Sequence, residues 1–240
     1  ISLYYFYCFL CFDLCSSSTK RFENYQMNYL VTGAAGYIGS HFIAKVLHEK
    51  NKVIGIDNLS NSSINQIKIL NKIYGQNLKF FQCDILNLKD LNEIFKSNKI
   101  DVVVHFAALK SVPESLIKSD EYFLNNVVGT NTLLSAMRKN NVRKIIFSSS
   151  AAVYGNSASQ PLYENFEVSP ESFYGETKKI CEESIISETM QNDIKAIILR
   201  YFNPVGFNKA IYNFSERVLS NGSLVSPSCP RPAIIATRFA

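Results

Sequence analysis

Tyr29-Leu30-Val31-Thr32-Gly33-Ala34-Ala35-Gly36-Tyr37-Ile38-Gly39-Ser40-His41 is the stretch that decides the fold. A short apolar run leads into Gly33, Gly36 and Gly39, and Ile38, Phe42, Ile43, Val46 and Leu47 then recur at helical spacing as far as Glu49. This reads as strand, glycine turn, helix. Glycine lets the backbone turn tightly and approach a pyrophosphate, and free N–H groups at the helix start favour its charge. Such a triplet alone is weak evidence, so its surroundings matter.

Outward from it, strands and helices alternate. Val53–Ile56, Leu78–Phe81, Val102–Val104, Lys144–Phe147 and Ala196–Leu199 read as further strands. Ile64–Ile73, Leu88–Phe95, Glu121–Met137 and Ser172–Met190 read as helices between them. The strands are continuous apolar runs, which means burial on both faces. The fold class is therefore α/β, a doubly wound parallel (Rossmann) sheet with helices on both faces. In such sheets the ligand sits beyond the carboxyl ends of the strands. The polar and glycine-bearing stretches lie there: Gly33–Gly39, Asp57–Ser62, Asp84-Ile85, Phe106–Lys110, Ser148–Ser150 and Tyr201–Gly206.

Asp57 closes the second strand about two dozen residues after the glycines. A carboxylate there binds both ribose hydroxyls of an adenosine and repels a 2′-phosphate, so NAD is favoured over NADP. Asp84, after the third strand, is placed either to contact the adenine or to cap a helix. Lys110 either reaches a phosphate or is a solvated loop lysine.

The second informative feature comes much later. Tyr174-Gly175-Glu176-Thr177-Lys178 opens a helix, and residues four apart share one helix face. The phenol and the ammonium then converge on one point. A free phenol is a poor base at neutral pH. A neighbouring ammonium and a positive nicotinamide ring favour the phenolate. Ser150, ending Phe147-Ser148-Ser149-Ser150, is placed to hydrogen-bond the same reacting oxygen. A Tyr–Lys pair on an exposed helix is common, and the upstream glycines are what make the catalytic reading the better one.

With Asp57-Asn58-Leu59-Ser60-Asn61-Ser62, His105-Phe106-Ala107-Ala108-Leu109-Lys110, Asn125-Asn126-Val127-Val128-Gly129-Thr130, Ser148–Gly155 and Arg200–Gly206 added, the chain from about Asn28 to Gly206 closely resembles the extended short-chain dehydrogenase/reductase family. Within it, the chain is similar to the sugar-nucleotide 4-epimerases. The resemblance implies that Tyr174 takes the proton of a sugar 4-hydroxyl while the C4 hydride passes to NAD. The 4-keto sugar then turns over, and the hydride returns on the other face. A UDP-sugar, UDP-glucose or UDP-galactose, is the implied substrate. Lys178 would also bind the nicotinamide ribose. Gly33, Gly36, Tyr37, Ile38, Gly39, Asp57, Asn58, Asn61, Ser62, Asp84, Ile85, Phe106, Ala107, Ala108, Lys110, Asn125 and Phe202 would line the cofactor. Lys110, Ser150, Tyr174 and Asn203 would meet the substrate. The related 4,6-dehydratases carry Thr-Asp-Glu after the fifth strand, whereas this chain has Ser150-Ala151-Ala152, without the acid pair that water elimination needs. A homodimer through Asp120–Met137 and Ser172–Met190 is implied as possible.

The bulk numbers fit this reading. Of the 240 residues, 47% are hydrophobic and 19% charged, enough for a core and not the profile of disorder. The net charge of +5 is scattered, so no basic stripe suggests nucleic acid. Cys8, Cys11 and Cys15 crowd the start without a fourth ligand, so no metal is expected. Cys83 and Cys181 read as reduced thiols in a cytoplasmic enzyme. Met27 is expected to be the start, with residues 1–26 a leader or sequence read from upstream of it, and a membrane anchor as the alternative. Residues 27–206 form the NAD-binding domain. Residues 207–240 depart from the family, and Ser226-Pro227-Ser228-Cys229-Pro230-Arg231-Pro232 reads as loop or disorder. The substrate-binding domain is then largely missing. Three outcomes stay open: a UDP-glucose 4-epimerising enzyme, an inactive NAD-binding fragment, or an epimerase for another UDP-sugar.

Overall fold

The structure is a computed structural model that describes residues 26–156, 162–204 and the backbone of Ile234–Phe239. Seven strands form one sheet: β1 (Asn28–Thr32), β2 (Lys52–Asp57), β3 (Leu78–Gln82), β4 (Val102–His105), β5 (Lys144–Ser150), β6 (Lys195–Tyr201) and β7 (Ile234–Phe239). Their spatial order is β3-β2-β1-β4-β5-β6-β7. All pairs from β3 through β6 are parallel, with Leu30 opposite Ile54 on one side and Val103 on the other. The chain therefore reverses its direction of travel between β1 and β4, and that switch point is where a crevice opens.

The alternation of side chains decides which helices cover which face. Leu30, Val103, Ile145 and Phe147 join one apolar cluster, with Leu91, Phe95, Leu133, Met137 and Ile185. Tyr29, Val31, Val102, Val104 and Ile146 point the other way, to Phe42, Ile43, Val46, Ile67 and Leu70. The first face is covered by α3 (Leu88–Ser97), α6 (Gly129–Lys139) and α7 (Phe173–Gln191). The second is covered by α1 (Tyr37–His48) and α2 (Asn65–Tyr74).

Two features differ from the sequence reading. The helix expected over Glu121–Met137 runs from α5 (Ser119–Tyr122) through a π-helical turn, Phe123–Val128, into α6. A short helix, α4 (Val112–Ile117), precedes it, capped by the Ser111 side chain with Pro113 in its first turn. Periodicity does not show a π turn, because one extra residue only rotates the apolar stripe. The tail also departs from loop or disorder. Ile234–Phe239 pairs antiparallel with β6, Tyr201 opposite Ile234 and Ala196 opposite Phe239. The Pro- and Ser-rich stretch masks a strand-forming run, Ile234-Ile235-Ala236-Thr237, directly behind it. The cysteines at positions 8, 11, 15 and 229, residues 1–25 of the expected leader and residues 205–233 of the tail lie outside the described residues.

Candidate active site

The turn after β1 is built so that backbone, not side chain, faces the crevice. Gly33 has φ +66°, and a methyl there would stand 2.8 Å from the Ala107 nitrogen. A methyl on Gly39 would be 2.1 Å from the Gly33 carbonyl oxygen, so helix α1 can pack this closely only on glycine. At its start, α1 has Gly36 as N-cap, no side-chain cap and no acidic residue in the first turn. By contrast, α3, α4 and α7 are capped by Asn87, Ser111 and Ser172. The N–H groups of α1 are thus left for an anion brought from outside.

Beyond this turn lies a cavity of about 250 Å³ at the β1/β4 switch point. Gly33, Gly36, Tyr37, Ile38, Gly39, Asp57, Asn58, Asn61, Ile85, Phe106, Ala107, Ala108, Lys110 and Asn125 all line it. Leu109, within the expected Phe106–Lys110 loop, joins them, as do Ile56, Ser60 and Cys83, which were not named from the sequence as site residues. Burial pushes the Cys83 thiol up to about 11, with Asp90 and Asp84 adding to the shift, so it lines the cavity as a neutral group.

Two expected residues stand behind the wall. Ser62 donates its hydroxyl to Asp57 Oδ1 at 2.8 Å. Asp84 accepts from Asn58 Nδ2 at 2.9 Å and from the Leu86 N–H at 2.9 Å. It is neither the helix cap, which is Asn87, nor part of the cavity lining. Asp57 also accepts from the Ala35 N–H (3.0 Å) and the Leu59 N–H (2.8 Å), so the acid that lines the cavity also braces the glycine turn.

The Tyr–Lys pair sits on α7, past the cavity lining. Ser172 caps this helix by accepting from the Gly175 N–H at 3.0 Å. A methyl on Gly175 would stand 2.6 Å from the Ala152 carbonyl oxygen, so the start of α7 lies hard against the turn that follows β5. That contact is what brings Tyr174 to the Ser150 end of the sheet. Lys178 is buried at 3% exposure, and its Nζ donates to the Ser148 carbonyl at 2.9 Å. The same Nζ lies 4.8 Å from the Phe147 ring centre and 5.9 Å from that of Tyr174. With one N–H given to Ser148, the ammonium keeps two for a ligand. Ser150 Oγ accepts from the Ala152 N–H at 3.2 Å, which leaves its own proton free to donate. Ser149 points away, to Glu182. Phe202 and Asn203 follow β6 outside the cavity lining, Asn203 exposed.

A glycine turn at the switch point, an acid ending β2 and a Tyr-x-x-x-Lys helix form one connected constellation. The match to the NAD dependent epimerase/dehydratase family covers residues 29–223. The chain belongs to the NAD dependent epimerase/dehydratase family. NAD is accordingly its cofactor, and the uncapped α1 and the glycine cradle fit a dinucleotide. The family match runs past Gly206, where the motif-by-motif reading stopped. The chain is 41% identical over 181 residues to a Bacillus subtilis UDP-glucose 4-epimerase, covering 75% of this chain and 53% of that one. It is 45% identical over 179 residues to the Dictyostelium discoideum UDP-glucose 4-epimerase, covering 74% and 52%. Among solved structures, the Bifidobacterium longum UDP-glucose 4-epimerase in complex with NAD+ and UDP matches with TM-score 0.74 and 38% identity, over 77% of this chain and 56% of that one. The Stenotrophomonas maltophila UDP-glucose-4-epimerase with bound NAD and formylated UDP-arabinopyranose matches with TM-score 0.74 and 37% identity, over 82% and 59%. The chain thus spans about half the length of the curated relatives it matches.

Asn126, the neighbour of the cavity-lining Asn125, was not read from the sequence as a site residue. It is 1% exposed, accepts from the Leu109 N–H (2.8 Å) and donates to the Leu109 carbonyl (3.0 Å) and to Thr177 Oγ1 (3.1 Å). It thereby joins the cavity wall to α7. Two adjacent asparagines look alike in a sequence, and the π turn decides which one is buried. Among the described residues, no His, Cys, Asp or Glu cluster could hold a metal, and no helix is long and apolar enough to cross a membrane.

Proposed function

We propose that the protein interconverts UDP-glucose and UDP-galactose by 4-epimerisation, within galactose metabolism. The observation that supports this reading is the close packing of Gly175, next to Tyr174, on the Ala152 carbonyl, with Lys178 buried on the Ser148 carbonyl and the Ser150 hydroxyl left free to donate. NAD, when bound, would supply the hydride acceptor and donor for C4 of the sugar. The Tyr174 phenolate accepts the proton of the 4-hydroxyl and gives it back after the sugar has turned. Lys178 holds positive charge beside that oxygen while anchored on the Ser148 carbonyl. Ser150 donates to the same oxygen and so orients it. Ser150-Ala151-Ala152 opens a 3₁₀ turn with no carboxyl group, which supports epimerisation over elimination.

Supplying the purified chain with NAD and UDP-galactose and measuring UDP-glucose tests the reading. Turnover supports epimerisation by this chain as it stands. NADH binding without turnover supports the second reading, a cofactor-binding portion of the enzyme. Turnover of a different UDP-sugar moves the substrate assignment. The same reading implies the cytoplasm. It also implies a homodimer through the Ser119–Lys139 stretch and α7, for which the exposure of Phe123 (44%), Leu124 (50%) and Val128 (36%) on a single stretch is the support.

A further inference from the structure

The Phe106–Lys110 wall of the cavity hangs from buried side chains that do not line it. At one end the Ala107 N–H donates to Thr32 Oγ1 at 3.1 Å, and the Phe106 N–H to the Thr32 carbonyl at 3.2 Å. At the other end Asn126 grips both backbone groups of Leu109. His105 connects the two. Its Nδ1 lies 2.6 Å from Thr32 Oγ1, and its Nε2 2.9 Å from Thr130 Oγ1. Thr32, His105, Thr130 and Asn126 are each 1% exposed or less.

The proton count along this chain has one complete solution. The Asn126 carbonyl can only accept, and Thr130 donates to it at 2.5 Å. Thr130 Oγ1 is then left to accept from His105, so Nε2 carries the proton. Nδ1 of the neutral ring is bare and accepts the Thr32 hydroxyl proton. The Thr32 oxygen is left to accept from Ala107. In the opposite tautomer the buried Thr32 hydroxyl proton has no acceptor among these groups. Burial, with the Lys178 charge adding to it, pushes the His105 imidazole down to about 3, which keeps the ring neutral.

The wall has no slack. A methyl on Gly33 would already be 2.9 Å from the Phe106 carbonyl carbon, so wall and glycine turn are in direct backbone contact. A shift of a few tenths of an ångström at Ala107 changes the cavity. We propose that His105, held as the Nε2–H tautomer between Thr32 and Thr130, is a positioning residue that sets the Ala107–Lys110 wall at the height the dinucleotide requires. This rests on the dinucleotide reading of the cavity.

NADH titration of the full 240-residue chain tests it. The variants are His105→Phe, which keeps a ring without hydrogen bonds, and Thr130→Val, which keeps shape and loses the hydroxyl. Ile67→Ala, in the opposite apolar cluster, is the control for lost stability alone. Imidazole ¹⁵N shifts of the parent chain report the tautomer. The expected result is an Nε2–H ring, a Kd for NADH raised about tenfold or more in His105→Phe and severalfold in Thr130→Val, and an unchanged Kd in folded Ile67→Ala. If His105→Phe does not fold, Thr130→Val decides. Unchanged affinity in the folded variants, or an Nδ1–H ring, overturns the His105 role while the cofactor reading stands. Failure of the parent chain to bind NADH overturns the cofactor reading and this proposal with it.

Discussion

The Asp57 carboxylate accepts from Ala35, Leu59 and Ser62, which uses most of the roughly four lone-pair sites a carboxylate offers. It therefore fixes the glycine turn and, on the dinucleotide reading proposed above, would repel a 2′-phosphate. Asp57→Asn keeps the size and removes the charge. NADH binding is expected to weaken about tenfold, and the preference for NADH over NADPH to shrink, as read from paired titrations. For Tyr174→Phe, which loses only the phenolic oxygen, turnover should fall roughly 10²–10⁴-fold, the range for a general base. NADH affinity should hold. Weakened NADH binding in that variant would argue that the phenol is a cofactor contact rather than the base. At this scale the sequence named the residue types well and their partners poorly. Among Ser148, Ser149 and Ser150, only the strand's alternation and the position of Glu182 show which hydroxyl is free for chemistry.

Helix α7 bears the proposed Tyr174–Lys178 pair, and buried polar contacts pin it. Tyr174, Lys178 and Glu182 lie on one face at four-residue steps. Glu182 accepts from Ser149 Oγ (2.5 Å) and from Arg200 through Nε (3.0 Å) and Nη2 (2.7 Å). Arg200 reaches on to the Tyr154 hydroxyl at 2.7 Å. Glu182→Ala strands a buried guanidinium and should cost about 3–5 kcal/mol in denaturant melts. Glu182→Leu with Arg200→Met should recover much of that loss, because neither charge is then left unpaired. Recovery of stability without recovery of turnover would show that the pair sets the register of α7 as well as holding it. Gly175→Ala is a sharper probe of the same element. A methyl 2.6 Å from the Ala152 carbonyl must push α7 off the β5 turn, so turnover should fall more than stability does. Spacing alone revealed that Tyr174 and Lys178 share a face. It did not reveal that a glycine between them is what lets the face approach Ser150.

The whole molecule links its cofactor site to its stability through one neutral imidazole. The unfolded His105 titrates near 6.5, and the folded one at about 3. Between those values the unfolded chain binds a proton that the fold does not. Stability from this group is therefore complete above about pH 6.5 and declines as the pH falls, by about 1.4 kcal/mol per unit. Carboxylates add their own slopes, so the comparison to make is parent against His105→Gln. The variant's stability should fall less steeply from pH 6.5 to 4, and parallel curves would show that another group carries the acid sensitivity. At the dimer surface proposed above, Leu124→Asp should shift sedimentation toward the monomer. From the sequence alone came the sheet class, the strand–turn–helix at the glycines, the acid after β2 and the Tyr-x-x-x-Lys helix. Each of these is written in local spacing, where apolar periodicity and glycine placement carry the signal. The tertiary structure alone decided the π turn that buries Asn126 and leaves Asn125 at the cavity, the Thr32–His105–Thr130 chain behind the wall, and the pairing of Ile234–Phe239 with β6. These depend on which groups meet across the fold, as Asn126 meets Leu109 and His105 meets Thr130, and a buried hydrogen bond between distant residues leaves no period in the sequence.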